Sequence, residues 1–430
     1  MTKKRLLFIS RYPPGPVGGS CLRAWHTLEA LQFNYDIHLL LISANPSPQP
    51  IPKTARNICS RIIDYSEGRN EILYSIKRKL AIKYSLLTNF VNTAAYSCHL
   101  QLSDIHKRQI SKEIISGKYD IFHLFKLETS HIIPLITRNC PFAEIHLDLD
   151  DIESLRWQRN MELYSSNRDL SNTRFAKTLA DAHRELEQRL LPSVDRVYAC
   201  SQLDKQRLEH AYRLKNIRCL PNVYPPKELG LRLNTETKES ATTFCFVWVG
   251  SLGYYPNQDS LLFFCREILP LLRERRISPF VVKVIGQGKL PTKILRTLQK
   301  LKEINLIGRV DDLDPYYQEA NAAIVPLRAG GGTRLKILEA FAYGVPVVST
   351  SIGAEGLEVH HDIHTLIADS PSDFAAQCVR LTNEPALGVR LSENAQALLK
   401  EKYSPERLKE ILCGQATASP TANRKLRTEN

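Results

Sequence analysis

Short, unbroken apolar runs alternate with helix-spaced stretches along the chain, and the alternation starts twice. The first series reads as strands at Arg5–Ser10, Ile37–Ile42, Ile121–Phe125, Ile145–Leu149 and Arg196–Cys200. Behind the first of them Leu22, Trp25, Leu28 and Leu31 share one face of a helix predicted over Ser20–Leu31. The second series gives strands at Phe244–Val249, Val281–Ile285, Ile304–Ile307, Ala322–Pro326 and Val345–Ser349. Helices over Asn257–Arg275, Thr292–Leu301 and about Thr333–Tyr343 separate them. A strand that is apolar on both of its faces must be covered on both, which is the condition of a parallel sheet flanked by helices. A chain of 430 residues also exceeds what one core organises. Pro221, Pro225, Pro226 and the polar Asn234–Thr243 stretch fall between the two series and mark the boundary. The expectation is an α/β chain of two doubly wound, Rossmann-like domains, 1–225 and 244–413, joined by a linker over 226–243. The small, polar and basic residues 414–430 read as a disordered tail. In such sheets a ligand binds beyond the carboxyl ends of the strands.

Charge narrows the partners without choosing among them. The net charge of +13 is uneven, since residues 1–240 hold 35 Lys and Arg against 25 Asp and Glu. A basic first half suits something anionic. No nucleic-acid motif accompanies the charge, so nucleic acid is not an expected partner. Residues 68–115 read as helical and carry Lys77-Arg78-Lys79 and Lys83 among Leu73, Ile76, Leu80 and Ile82. That face suits either an anionic membrane or lipid-linked acceptor, or plain solvent. No apolar run reaches the roughly 18–20 residues of a bilayer crossing, so a cytoplasmic chain, at most peripheral at the inner membrane face, is expected. The ten cysteines form no Cys-x-x-Cys pair, which argues against a zinc site or a secreted disulfide framework. His360-His361-Asp362-Ile363-His364 has no common zinc spacing and reads as a solvated loop, so no metal ligand is expected.

Two segments carry chemistry. In the second half, Gly330, Gly331 and Gly332 run through Thr333 into a helix, an arrangement that bares backbone N–H groups where the helix dipole is positive. Arg334 and Lys336 add cations in the first turn, which weakens a helix unless an anion sits nearby. Glu339 follows further along, where a carboxylate can accept two bonds from the vicinal hydroxyls of a ribose. A plain glycine loop and a solvated glutamate are the alternative. In the first half, His146-Leu147-Asp148-Leu149-Asp150-Asp151-Ile152-Glu153-Ser154 crowds four carboxylates beyond a strand. Asp148 and Asp151 are the candidates for orienting an acceptor hydroxyl, and an ordinary helix cap is the alternative.

The run from Ala329 to Val348, with Leu338-Glu339-Ala340 followed by Gly344-Val345-Pro346-Val347-Val348, resembles the donor domain of GT-B glycosyltransferases, and most closely the retaining group called family 4. Val249-Gly250-Ser251-Leu252 and Gly353-Ala354-Glu355-Gly356 extend the resemblance, which is strong over 244–400 and weaker over 1–220. It implies a GT-B fold, two such domains facing a central cleft, with the nucleotide-sugar donor on the second and a glycan or lipid-linked acceptor on the first. It further implies that the glutamate matching Glu339 holds the donor ribose, that Gly330–Gly332 face the diphosphate and sugar, that Gly250 admits the diphosphate, and that Gly18 and Gly19 form an N-terminal glycine loop. The resemblance implies no cofactor or metal, and a product in cell-surface polysaccharide assembly. Two positions depart from the family pattern. Gly331 stands where a second glutamate is common, and no basic pair follows Gly250, which leaves Arg334 and Lys336 to supply the charge. A non-catalytic nucleotide-sugar-binding subunit and a nucleotide-sugar epimerase of the same fold stay open.

Overall fold

The structure, a computed structural model, describes residues 3–16, 18–42, 51–65, 104–227, 243–275 and 279–415. The Lys77–Lys83 basic cluster, most of the expected linker and nearly all of the expected tail lie outside them. The chain divides into two compact units, Val223–Ser404 forming one, and residues up to Asn222 together with those from Pro405 onward forming the other.

The first unit is built on a seven-stranded parallel sheet in the order β3-β2-β1-β4-β5-β6-β7. Its strands are β1 (Lys4–Ser10), β2 (Tyr35–Leu41), β3 (Arg61–Asp64), β4 (Ile121–Phe125), β5 (Glu144–Asp148), β6 (Arg196–Ala199) and β7 (Ile217–Cys219). One face carries Leu7, Ile9, Phe122, Leu124, Ile145 and Leu147 into an apolar core. On the other face Phe8, His123 and His146 lie in one row across β1, β4 and β5. His123 is stacked between Phe8 at 4.9 Å and Tyr198 at 5.7 Å, and burial lowers its pKa well below the usual value. Between β5 and β6 a hairpin of helices Glu153–Ser166 and Leu170–Leu190 is inserted.

The second unit is a six-stranded parallel sheet in the order β10-β9-β8-β11-β12-β13. Its strands are β8 (Phe244–Val249), β9 (Phe280–Ile285), β10 (Ile304–Gly308), β11 (Ala322–Val325), β12 (Val347–Ser349) and β13 (Leu366–Ile367). The helix expected over Asn257–Arg275 runs from Tyr255 to Glu274 with a π turn at Phe264–Ile268. Pro270, which has no N–H to give the preceding turn, accounts for the widened turn.

The boundary of the second unit differs from the expected 244–413 at both ends. Helix Pro405–Gln415 returns to the first unit, where Leu408 and Leu412 are buried and the helix packs on helix Gly19–Leu31. There the Lys409 ammonium lies 3.4 Å from the centroid of the Phe33 ring. An amphipathic helix records which of its faces is buried but not which sheet buries it, so the crossing back left no mark in the sequence. At the other end, the Tyr224 N–H donates to the Tyr403 carbonyl at 2.9 Å, fixing the entering and leaving segments of the second unit to each other.

Candidate active site

In the second sheet the strand order reverses between β8 and β11, which is where a doubly wound sheet opens a crevice. The turn after β8 begins at Gly250, whose N–H donates to the Ile285 carbonyl at 3.0 Å. A Cβ on Gly250 would lie 2.9 Å from both Asn257 Nδ2 and Lys336 Nζ, so this turn and the helix that begins at Leu335 are in contact. Behind it, Gly286 has no room for a side chain, because a Cβ there would fall 1.7 Å from the Gly250 carbonyl oxygen.

The loop after β11 runs through Gly330 at φ 141° and Gly332 at φ 60°. Both torsions exclude an ordinary side-chain-bearing residue, so at these two positions glycine is a backbone requirement. Arg334 is the N-cap of helix Leu335–Ala342 and is 7% exposed. Its guanidinium donates to the carbonyls of Gly331 and Gly332, and to that of Ile352 at 3.4 Å. Sequence reasoning expected Arg334 to present its charge to a ligand. The structure instead turns it into the loop, where it serves as a brace. That brace has a consequence for the amides. In a trans peptide the C=O and N–H point in opposite directions. With the carbonyls of Gly331 and Gly332 turned onto Arg334, the N–H groups of Gly332 and Thr333 point to the other side of the loop.

Of the two cations at the start of this helix, Lys336 is the one not turned into the loop. Its ammonium donates to Asn257 Oδ1 at 3.0 Å and lies 4.9 Å from the centroid of the Trp248 ring. Burial, with the Arg334 charge adding to it and Glu339 opposing, lowers its pKa to about 7. One helical turn on, Glu339 accepts from Tyr224 Oη on Oε1 at 3.0 Å and from Tyr317 Oη on Oε2 at 3.1 Å. Burial raises the Glu339 pKa, while those two hydroxyls and Lys336 pull against it. Gly344 at φ 64° follows the end of the helix, and Thr350 caps the next short helix through the Gly353 N–H at 2.9 Å.

In the first unit Gly18 adopts φ 90° as the N-cap of helix Gly19–Leu31, so Gly19 is its first helical residue. From the next turn Arg23 reaches the end of β5 and holds Asp148 bidentately, with Nε 3.1 and 3.0 Å from the two carboxylate oxygens and Nη2 2.8 Å from Oδ1. Burial works against this guanidinium, but the carboxylates of Asp148 and Asp150 more than offset it and keep it protonated. Asp148, expected to orient an acceptor, is fully buried and engaged in that ion pair, so its part is to anchor the loop that follows. Asp150, at φ 59°, accepts from Ser20 Oγ at 3.0 Å and lies 3.4 Å from Lys126 Nζ. Asp151 is the more accessible carboxylate, with Lys126 at 3.9 Å. Burial and the Asp150 charge, against Lys126, raise its pKa to about 6. Helix Glu153–Ser166 begins without a side-chain cap, and Ser154 bonds Glu187 instead, so the acidic run is not a capping motif.

Residues 243–384 match the family model of group 1 glycosyl transferases. The second unit carries a group 1 glycosyl transferase domain. The enzyme is 24% identical over 276 residues to an uncharacterized glycosyltransferase of Haemophilus influenzae, covering 62% of this chain and 70% of that one. It is also 24% identical over 241 residues to D-rhamnosyltransferase WbpZ of Pseudomonas aeruginosa, covering 53% and 60%. The fold matches sucrose-phosphate synthase from Thermosynechococcus elongatus with a TM-score of 0.67 at 15% identity, over 100% of both chains. It matches Anabaena Alr3699/HepE in complex with UDP and glucose with a TM-score of 0.63 at 12% identity, over 96% of this chain and 99% of that one.

Within the glycosyltransferase, the structure brings Gly250, Gly330–Gly332, Thr333, Lys336 and Glu339 to one end of the second sheet. Gly18, Gly19, Asp148 and Asp151 gather at the corresponding end of the first. Six further residues were not singled out by sequence reasoning: Trp248, Asn257, Tyr224 and Tyr317 in the second unit, and Arg23 and Lys126 in the first. Arg23 had a signal, being a cation in a helix whose Leu22 and Leu28 neighbours were assigned to the core. Lys126 carried none, because its φ of 69° and its acidic neighbours arise only on folding. The histidine loop closes on itself, His364 Nδ1 accepting from the His360 N–H at 3.1 Å and His361 Nδ1 from the Ile367 N–H at 2.9 Å. Among the described residues no helix is long and apolar enough to cross a membrane.

Proposed function

We propose that this glycosyltransferase takes its sugar from a nucleoside-diphosphate sugar and transfers it, with retention and without a metal ion, to a glycan or lipid-linked acceptor in cell-surface polysaccharide assembly. The observation that carries the donor reading is the arrangement at the β8/β11 crevice. Backbone N–H groups of the Gly330–Thr333 loop, the Lys336 ammonium and the Glu339 carboxylate follow one another in the order diphosphate, then ribose, would require. The UDP and UDP-glucose complexes of the structurally similar HepE support a nucleotide-linked donor.

Chemically, the bond between the anomeric carbon and the diphosphate oxygen breaks as the bond to the acceptor oxygen forms. Negative charge grows on the leaving diphosphate, where fixed amides and Lys336 stabilise it in the transition state more than in the ground state. In a retaining reaction the acceptor's proton passes to the departing phosphate oxygen on the same face. Asp151, the most accessible aspartate of the acidic run after β5, orients the acceptor hydroxyl. Thermal unfolding against UDP-, GDP-, ADP- and dTDP-linked sugars tests the donor class, because a ligand of the folded state raises its stability. Stabilisation by one nucleotide series, followed by acceptor-dependent nucleotide release unaffected by a chelator, is the expected result. Epimer formation without acceptor, or binding without turnover, would replace this reading by one of its two alternatives.

A further inference from the structure

Glu339 is held at both of its oxygens before any ligand arrives. Tyr224 donates to one and Tyr317 to the other. An ionised carboxylate offers about four acceptor positions, so each oxygen keeps one. The two phenols are themselves anchored from outside. Tyr317 is 1% exposed and its ring stacks on Tyr343 at 4.4 Å and 10°. The Tyr343 hydroxyl donates to Asp314, which Lys227 also pairs at 3.0 Å. Tyr224 is fixed by its own N–H on the Tyr403 carbonyl at 2.9 Å. A carboxylate held by one donor turns about its last bond. Donors on opposite oxygens fix its plane, and with it the directions of the remaining lone pairs.

We propose that Tyr224 and Tyr317 are positioning residues that set the Glu339 carboxylate to receive the two vicinal hydroxyls of a ribose, making the enzyme selective for ribonucleotide over 2′-deoxyribonucleotide donors. This rests on the donor reading above and adds to it the residues that enforce the sugar of the nucleoside. It also disfavours a dTDP-linked donor, whose sugar lacks the 2′ hydroxyl.

The test is calorimetric binding to the full chain of UDP, GDP, ADP and dTDP, and of the 2′-deoxy form of whichever ribonucleotide binds tightest. The wild type is expected to prefer the ribonucleotide about tenfold, the worth of one hydrogen bond to a charged group. Tyr224→Phe and Tyr317→Phe are each expected to cut that preference at least about threefold, with affinity for the 2′-deoxy compound little changed. General damage to the fold would weaken both compounds alike. In a Glu339→Gln background, Tyr224→Phe is expected to have no further effect, since its action passes through the carboxylate. The acid limb of ribonucleotide binding should also move to higher pH in Tyr224→Phe, because the lost hydroxyl bond favoured the ionised form. Tighter ribonucleotide binding in the Phe variants, or equal losses for the two compounds, would overturn the proposal. Wild-type binding without ribose preference would overturn it and leave the diphosphate reading standing. Binding of none of the four nucleotides would remove both.

Discussion

Lys336 is a half-buried cation whose ammonium donates to an amide oxygen rather than to a carboxylate. Its neighbours are an amide oxygen, an indole face and the Arg334 charge, none of which stabilises an ammonium as a carboxylate in contact would. With a pKa near 7 it is largely neutral at pH 8 in the free enzyme, and a bound diphosphate draws the proton back. Nucleoside diphosphate binding at pH 8 is therefore expected to take up about one proton and to weaken as pH rises above 7. Calorimetry in buffers of different ionisation enthalpy reads the uptake directly. Lys336→Arg should bind without it, and uptake unchanged in that variant would assign the proton elsewhere. In the first unit, Arg23→Met strands Asp148 in the interior and is expected to cost about 3–5 kcal/mol in urea unfolding. A cost under about 1 kcal/mol would mean that the pair contributes little. At this scale the sequence showed which residue types were concentrated where, so Lys336, Glu339 and the acidic run stood out. It did not show which charges would be satisfied internally. Arg334 and Lys336 look equivalent two positions apart, yet one braces its own loop and the other faces Asn257 and Trp248 across the crevice.

Among the elements, the glycine-lined turns at the β8/β11 reversal were the most legible, because backbone that must adopt positive φ leaves glycine in the sequence. Gly330 and Gly332 stood in the glycine run singled out from the sequence, and both have positive φ. Gly286 is constrained by contact instead, and contact between loops distant in the chain leaves no local pattern. Gly286→Ala is expected to destabilise the second unit by about 2–4 kcal/mol and to abolish nucleotide binding by displacing Gly250. Gly253→Ala, with open space around its Cβ, should stay within about 0.5 kcal/mol. Chemical denaturation of the two variants side by side measures the contrast, and equal effects would contradict it. The central strands were placed from their unbroken apolar runs, whereas β3, with Arg61 and Asp64 at its ends, was not recognised. Edge strands are short and half-exposed, so they lack the apolar run that betrays a central one.

For the whole molecule, the last helix belongs to the first unit although it follows the second in sequence. Leu408→Ala with Leu412→Ala is expected to cost about 2–5 kcal/mol for each residue at this interface. Amide exchange should then accelerate in helix Gly19–Leu31 and stay unchanged in helix Leu335–Ala342. Acceleration confined to the second unit would contradict the division. The two sheets were legible because the central strands of each series stand out as unbroken apolar runs, whereas the strand order that places each reversal was not. The crossing of the final helix was not, since amphipathicity carries no address. What everything functional depends on is the place of the nucleotide. A crystal structure with the nucleoside diphosphate that most stabilises the enzyme tests this most directly. The expected result puts diphosphate oxygens on the N–H groups of Gly332 and Thr333 and on Lys336 Nζ, with both ribose hydroxyls on Glu339. A nucleotide bound elsewhere, or a Glu339 still satisfied by its two tyrosines alone, would contradict it.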